Sequence, residues 1–270
     1  MAPTRFLLLT LGLLAGWSCA GAHARQPATT AYNTYMVEPY LVDAQQGLAQ
    51  SLVDRLNDKI GPGNQLSLSH IPRIRLDSIE LNKGDQFGGV VLFVNPRFVG
   101  DPAKTRFLWS KPLFVDCNLV ISRVADPVEY VGLSTFWGLR FGGVRGYRYA
   151  YIDDMVRIGK LLREDSQDEL SGLRKVALGR VDVTVVPYTI FSQFGATKGL
   201  AGQLYVAPKP LQCFARHILV GKGNPALLKV VNQAIDTLAT DKGWLAAMAY
   251  FHLDVNVLSG WSADDVADKQ

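Results

Sequence analysis

The chain has 270 residues, 28 Lys and Arg against 24 Asp and Glu, a formal net charge of +4, and 48% hydrophobic residues. That apolar content excludes a disordered chain, and its even interruption by polar residues excludes a membrane bundle. The basic excess is too small and too evenly spread to argue for nucleic acid, and only the short stretch Arg145 to Tyr149 sets basic residues among aromatics. A soluble globular protein remains.

Met1 to Ala24 carries Arg5 as its one formal side-chain charge, then an apolar run from Phe6 to Ala15, then small residues ending in Ala22-His23-Ala24. This is the layout of a secretory signal peptide, residues 1–24, cleaved after Ala24. A spanning helix would need about 18 or more apolar residues, and this run is shorter. Gly16-Trp17-Ser18 makes Cys19 a poor lipidation site. The remaining chain, about 246 residues, suits two lobes of about 100 to 130 residues better than one core.

Strands then alternate with helices. Asn33 to Val37 is predicted as a first strand, and Leu48, Leu52, Leu56 and Ile60 stripe an amphipathic helix over Gln46 to Ile60. Gln65 to His70 alternates as a strand, Pro72 opens a helix ending at Gly84, and Phe87 to Val94 is a near-continuous apolar run expected to be a strand covered on both faces. A second helix set is predicted at Tyr147 to Arg163 and, from a Ser166–Glu169 capping box, up to Gly179, followed by a strand at Val181 to Val186. Leu76 to Val91 and Leu170 to Val186 share one grammar of helix, glycine, acidic residue and β-branched strand, a weak internal repeat that suggests two similar α/β lobes. Phe214 to Val220 is a further strand, Asn224-Pro225 caps a helix bearing Leu227, Leu228, Val231, Ile235 and Leu238, and Trp244 to Phe251 closes the chain as an apolar helix.

Two segments carry a resemblance. FLWSKPLFVDCNLVISR, Phe107 to Arg123, is an aromatic-Ser-x-Pro corner running into a β-branched strand, and LRFGGVRGYRYAYID, Leu139 to Asp153, is a strand, a Gly-bounded turn and a helix start. Together, and in their order along Asn33 to Phe251, they resemble bacterial extracellular solute-binding family 3, the periplasmic amino-acid-binding proteins of ABC transporters. The resemblance implies an α/β, two-lobed periplasmic-binding-protein fold of type II, each lobe a mostly parallel sheet flanked by helices, joined by two crossing hinge strands. It implies a first lobe in two pieces, 25–115 and 215–270 with the C-terminal tail, a second lobe at 116–214, and crossings near Phe114 to Leu119 and Gln212 to His217.

The implied protein is periplasmic and monomeric, captures a small polar solute between its lobes, delivers it to an ABC permease in the inner membrane, and needs no cofactor. Cys117 and Cys213 each fall in one implied crossing strand, where antiparallel neighbours lie within disulfide range and an oxidising periplasm lets a bond form; two buried free thiols are the alternative. His70, His217 and His252 lack the local spacing of metal ligands.

The site is expected to depart from its relatives. The family usually holds the ligand carboxylate with an Arg before the Ser-x-Pro corner and the ammonium with an Asp at the end of the lobe-two strand; here those positions are Ala103, beside Lys104, and Pro187. A zwitterion in a closed cleft needs each charge paired, so an ordinary amino acid held in the usual way is not expected. Replacement contacts are expected from Tyr40, stacking on the ligand; from Arg73, with Arg75 beside it; from Asn95 and Arg97 after the buried strand; and from Arg145, Gly146, Tyr147 and Tyr149, at a helix N-terminus able to donate backbone N–H groups. Arginines on both lips favour an anionic solute. Arg73 and Arg75 also fit a solvated helix face, and Tyr147 and Tyr149 also fit a core.

No Gly-x-Ser-x-Gly elbow, Walker loop or paired nucleophile and base is present, and Gly142-Gly143 to Gly146 lacks the Gly-Lys-Ser/Thr ending of a phosphate loop. The expectation is a binding protein and not an enzyme. A ligand-sensing protein working with a receptor and a dehydratase-type lyase on the same fold are the alternatives.

Overall fold

The computed structural model describes residues 29–62, 64–149, 151–194, 200 and 202–253. The signal segment, Cys19 included, lies outside them. The chain begins with β1 (Thr29–Asn33), α1 (Leu48–Ile60), β2 (Leu66–His70) and α2 (Arg73–Arg75), the last extended by a π turn at Leu76–Glu80 and a 3-10 stretch at Leu81–Gln86. β3 (Val90–Val94), β4 (Leu108–Trp109), β5 (Phe114–Arg123) and β6 (Arg140–Val144) follow, then α3 (Ile152–Arg157), β7 (Leu162–Ser166), α4 (Glu169–Ala177), β8 (Val183–Pro187) and α5 (Tyr188–Phe194). The described chain closes with β9 (Leu204–Val206), β10 (Gln212–Val220), α6 (Pro225–Leu238) and α7 (Lys242–Tyr250).

One strand path runs β2-β1-β3-β10-β5-β8-β6-β7, with β4 added beside β10 and β9 beside β5. The pairs β1/β2, β1/β3, β6/β7 and β6/β8 are parallel, as right-handed strand–helix–strand units require. β5 and β10 are the exceptions that join the two halves. They run antiparallel over Phe114 to Asn118 and Gln212 to Arg216; beyond that overlap β10 turns to β3 and β4, and β5 turns to β8 and β9. Cys117 stands opposite Cys213 in this overlap, and the two are joined as a disulfide.

The largest core gathers Leu48, Leu52 and Leu56 of α1 with Val90 and Leu92 of β3, Val231 of α6 and Met248 of α7. Each fully buried Leu here contributes roughly 1.5–3 kcal/mol. A second core holds Val120, Phe136, Phe141, Ile152 and Val183 in the other half. The repeat grammar of the sequence is visible: a helical segment leads into β3 beside β10, and α4 leads into β8 beside β5.

Four predicted elements are corrected. β1 ends at Asn33, where a strand over 33–37 was predicted, because the Asn33 side chain accepts from Tyr35 N (3.2 Å) and donates to Tyr35 O (2.8 Å), an Asx-type turn that stops the ladder. α1 starts at Leu48, not Gln46: Gly47 has φ +139, and a Cβ there would meet the Tyr40 carbonyl at 2.4 Å. The predicted helix over Tyr147 to Arg163 is the short α3 plus β7. Gly159 (φ +71) ends α3 with Lys160 N bonded to Met155 O (2.9 Å), and Leu162 to Ser166 then pair with β6. The capping box is also replaced, since Asp168 is the cap of α4, accepting from Ser171 N at 2.7 Å, and Ser166 closes β7.

Candidate ligand cleft

Where the two halves meet, β10 and β5 put opposite charges inside the protein. Arg216 and Asp116 are both 0% exposed, with Arg216 Nε and Nη2 on Asp116 Oδ2 at 2.8 and 2.7 Å. Arg216 Nη1 also donates to Tyr35 Oη (2.7 Å) and to the Phe93 carbonyl (2.8 Å), the latter presented by a residue with φ +59. Thr189 Oγ1 donates to Asp116 Oδ2 (2.7 Å), so Tyr40 Oη donates to Thr189 Oγ1 (2.9 Å). The guanidinium lies 4.8, 5.2 and 5.1 Å from the ring centres of Tyr35, Tyr40 and Phe214. Burial opposes its charge, yet Tyr35, Tyr40 and Asp116 hold it well above the ordinary arginine value.

On this floor sits a cavity of about 40 Å³, lined from both halves. Thr34 and Tyr35 come from the loop tied by Asn33, Arg73 from α2, Phe98 from the turn after β3, Asn118 and Phe214 from the crossing strands, and Tyr147, Tyr149 and Glu169 from beyond β6 and the start of α4. Tyr35 meets Tyr147 edge-on at 6.1 Å, and Phe98 meets Phe214 at 4.8 Å. An adjoining pocket of about 90 Å³ shares Thr34, Arg73, Tyr147 and Glu169 with it and continues over Pro72, Arg145 and Asp168.

Glu169 is the unusual member. It is 2% exposed, and its Oε1 has no hydrogen-bond partner among the described residues. Burial pushes its carboxyl up to about 7, although its own backbone N–H and the Tyr147 hydroxyl pull the other way. A buried carboxyl oxygen left unmatched costs about 1–3 kcal/mol or more, so this position is unfavourable for folding alone. Tyr147 is in turn pushed well above the ordinary phenol value, by burial first and then by the Glu169 carboxylate.

The loop that carries Tyr147 and Tyr149 is organised by Arg163 of β7, which donates to Asp153 Oδ1 (2.6 Å), Asp165 Oδ1 (2.7 Å) and the carbonyls of Val144 and Tyr147. Three of the backbone N–H groups in this loop are already engaged. Arg145 N is bonded to Ser166 O, Tyr147 N to Val144 O, and Tyr149 N to Asp153 Oδ2, while α3 begins only at Ile152. Tyr149 Oη accepts from Val144 N at 2.9 Å.

The structure therefore brings Arg73, Tyr147 and Tyr149 to the cavity, and puts Arg145, exposed, on the adjoining pocket. Gly146 packs at the lip against Ile74. Tyr40 is not a cavity wall; it is fully buried beneath Tyr35, with which it stacks at 4.5 Å. Asn95 caps the turn after β3, accepting from Arg97 N (3.0 Å) and donating to Ala215 O (2.9 Å), and neither it nor exposed Arg97 lines the cavity. Arg73 is committed to Asp77 (2.8 Å) and the Phe98 carbonyl (2.5 Å), and Arg75 is exposed.

Of the two departures, Ala103 is exposed, in a loop wound around Asp101, whose carboxylate accepts from the N–H groups of Thr105, Arg106, Phe107 and the Trp109 indole. Burial alone would raise Asp101, but those bonds hold it below the ordinary carboxylate value. Pro187 does line the cavity, bringing neither charge nor N–H. Sequence reasoning passed over Tyr35, Phe98, Arg148, Phe214 and Glu169 as cavity residues.

No protein-family model matches the sequence, and no curated protein matches it. Solved structures match the fold. The substrate-binding protein of an ABC uptake transporter from Streptococcus pneumoniae, with bound histidine, superposes with a TM-score of 0.67 at 13% identity, over 87% of this chain and 95% of that one. The GluR0 ligand-binding core from Nostoc punctiforme, in complex with L-glutamate, gives 0.66 at 14% identity, over 84% and 100%. The ancestral amino acid-binding protein AncCDT-1, a precursor of cyclohexadienyl dehydratase, gives 0.64 at 12% identity, over 83% and 95%. The chain has the two-lobed α/β fold of these binding proteins, as the Ser-x-Pro corner and the crossing strands imply.

Proposed function

We propose that this chain is a periplasmic solute-binding protein that closes its two lobes on a small polar solute and presents the closed form to a membrane importer. One lobe would comprise 25–115 and 215–270, the other 116–214. The observation that carries this reading is a cavity with walls from both halves and a floor on the two strands that cross between them. Ligand contacts made from both sides stabilise the closed arrangement over the open one, and a partner that recognises the closed form reads out occupancy. The fold shared with amino-acid-binding proteins of ABC transporters supports the same reading.

An anionic solute would have to be gripped by Arg73, Arg145 or Arg148. Arg73 is already paired with Asp77, and Arg145 and Arg148 are exposed, so the buried polarity inside is dominated by the Glu169 carboxyl.

A thermal-shift screen of amines, amino acids, dicarboxylates and short peptides on the mature chain tests the function, because a ligand that binds only the folded form raises the midpoint, and raises it further as its concentration grows. At least one compound should raise the midpoint and contract the protein in small-angle scattering. A complete screen with no such compound overturns the reading. Glu169 also supports a second reading, since a buried carboxylic acid near pH 7 is the kind of group that protonates a leaving hydroxyl in a dehydration. Product formation from a hydroxylated carboxylic acid at catalytic protein concentration, lost in Glu169→Gln, would establish the lyase.

A further inference from the structure

We propose that the solute is a small organic cation, a primary amine or guanidinium on a short apolar body, whose N–H groups pair with Glu169 while the surrounding aromatic rings enclose the body. The inference rests on the solute-binding reading above and names the chemical class that the cavity takes.

Three observations converge. First, Glu169 Oε1 is a buried acceptor with no partner among the described residues, in the wall of the cavity. A cationic N–H donor supplies what that oxygen lacks, and a carboxylate ligand would face it with like charge. Second, the walls are aromatic: Tyr35, Phe98, Tyr147, Tyr149 and Phe214 surround the space, and ring faces attract cations. The protein already uses this chemistry one layer below, where Arg216 lies among Tyr35, Tyr40 and Phe214 with Asp116 as its counter-ion. Third, the guanidinium groups that are not exposed nearby are occupied, Arg73 by Asp77 and Phe98 O, Arg216 by Asp116, Arg163 by Asp153 and Asp165, while the two others that border the space, Arg148 and Arg145, are exposed to solvent.

The groups facing Glu169 are Tyr147 and Tyr149 from the loop after β6, with the exposed Arg148 and Arg145 of the same loop, Asp168 at its own helix cap, Arg216 from β10 and Arg73 from α2. Lys175 on α4 is bonded to the Asp165 carbonyl, and the Asp165 carboxylate to Arg163. Binding a cation therefore ionises Glu169, and the proton leaves to solvent.

The test is calorimetry on the mature chain at pH 8.0 and pH 5.5, with n-butylamine, phenethylamine, methylguanidine and agmatine as cationic probes and butyrate and glutarate as anionic ones. A cationic probe should bind about tenfold or more tightly at pH 8.0 than at pH 5.5, releasing about one proton at pH 5.5 and little at pH 8.0, and Glu169→Gln should weaken it about tenfold or more and abolish the pH dependence. The wild-type pH comparison stands even if the variant fails to fold. An anionic probe that binds, more tightly at pH 5.5, overturns the cation while leaving a solute-binding protein. A cationic probe whose affinity ignores both pH and Glu169→Gln overturns the role of Glu169. Failure of these probes and of the whole thermal-shift screen overturns both readings together.

Discussion

Arg216 and Asp116 form an ion pair at 2.7 Å with both side chains fully buried, on the two strands that cross between the halves of the protein. They are not ladder partners, since Asp116 faces Phe214 and Arg216 faces Phe114 in the register; they meet diagonally on one face of the β5/β10 pair. Taking both charges out of water is costly, and the return comes from four guanidinium bonds and three aromatic rings. Removing one partner leaves the other charged and buried. Asp116→Asn or Arg216→Met should each cost about 3–5 kcal/mol in urea unfolding, and the Asp116→Leu/Arg216→Met pair should recover at least half of that loss. Equal losses in the singles and the double would show that packing, and not the charge, dominates the site.

The Cys117–Cys213 bond closes a loop of 96 residues across the same overlap. Chain entropy assigns such a loop about 4–5 kcal/mol, of which native proteins commonly realise about 2–5. Cys117→Ser/Cys213→Ser should therefore unfold at a clearly lower urea concentration than the oxidised parent, and reductant should bring the parent down to the variant. Coincident transitions for all three would refute the stabilising role.

Much of this architecture is legible in the sequence because it depends on apolar patterning: the stripe of α1, the continuous run of β3 and the β-branched crossing strands all bury large areas. The errors fall where polar residues decide. LREDS in β7 carries no apolar alternation, because it is an edge strand whose Arg163 and Asp165 bond each other and the neighbouring loop. Glu169 sits three residues after Ser166 and so mimics a capping box, yet Asp168 takes the cap and frees Glu169 for the cavity. Asp116 and Arg216 were available as a signal, two opposite charges in otherwise apolar crossing strands. Tyr40 and Tyr35 differ in role by one layer of depth, which no local pattern encodes.

Glu169 also makes stability depend on pH in a direction opposite to ordinary acid denaturation. Its carboxyl is raised to about 7 in the folded protein, whereas an unfolded Glu titrates near about 4.3. Between these values the folded state holds a proton that the unfolded state releases, so this contribution is full below about pH 4.3 and is lost as pH rises through 7, up to about 4 kcal/mol. Urea titrations at pH 5 and pH 8 should show Glu169→Gln gaining on the parent by about 2–3 kcal/mol across that interval. His217, lowered by burial, destabilises the folded state as pH falls, but it does so in parent and variant alike, and the difference isolates Glu169. A constant difference between the two proteins would mean that the carboxyl is not held neutral.

Gly146 supplies a test of closure at the lip between the halves. Its φ is +82, and a Cβ there would lie 2.9 Å from the Cβ and 3.0 Å from the backbone N of Ile74, a residue of the opposite half that is 49% exposed. Gly146→Ala thus carries two costs. The left-handed backbone costs about 1–2 kcal/mol whether the halves are apart or together, while the clash exists only when they meet. Gly138→Ala separates the two, because Gly138 has φ +79 and no atom within 4 Å of the added Cβ. Both variants should lose similar stability in urea, but only Gly146→Ala should bind a solute that contracts the parent in small-angle scattering about tenfold more weakly and remain expanded in its presence. Equal radii and equal affinities in the two variants would show that contact between Gly146 and Ile74 is not part of the closed form.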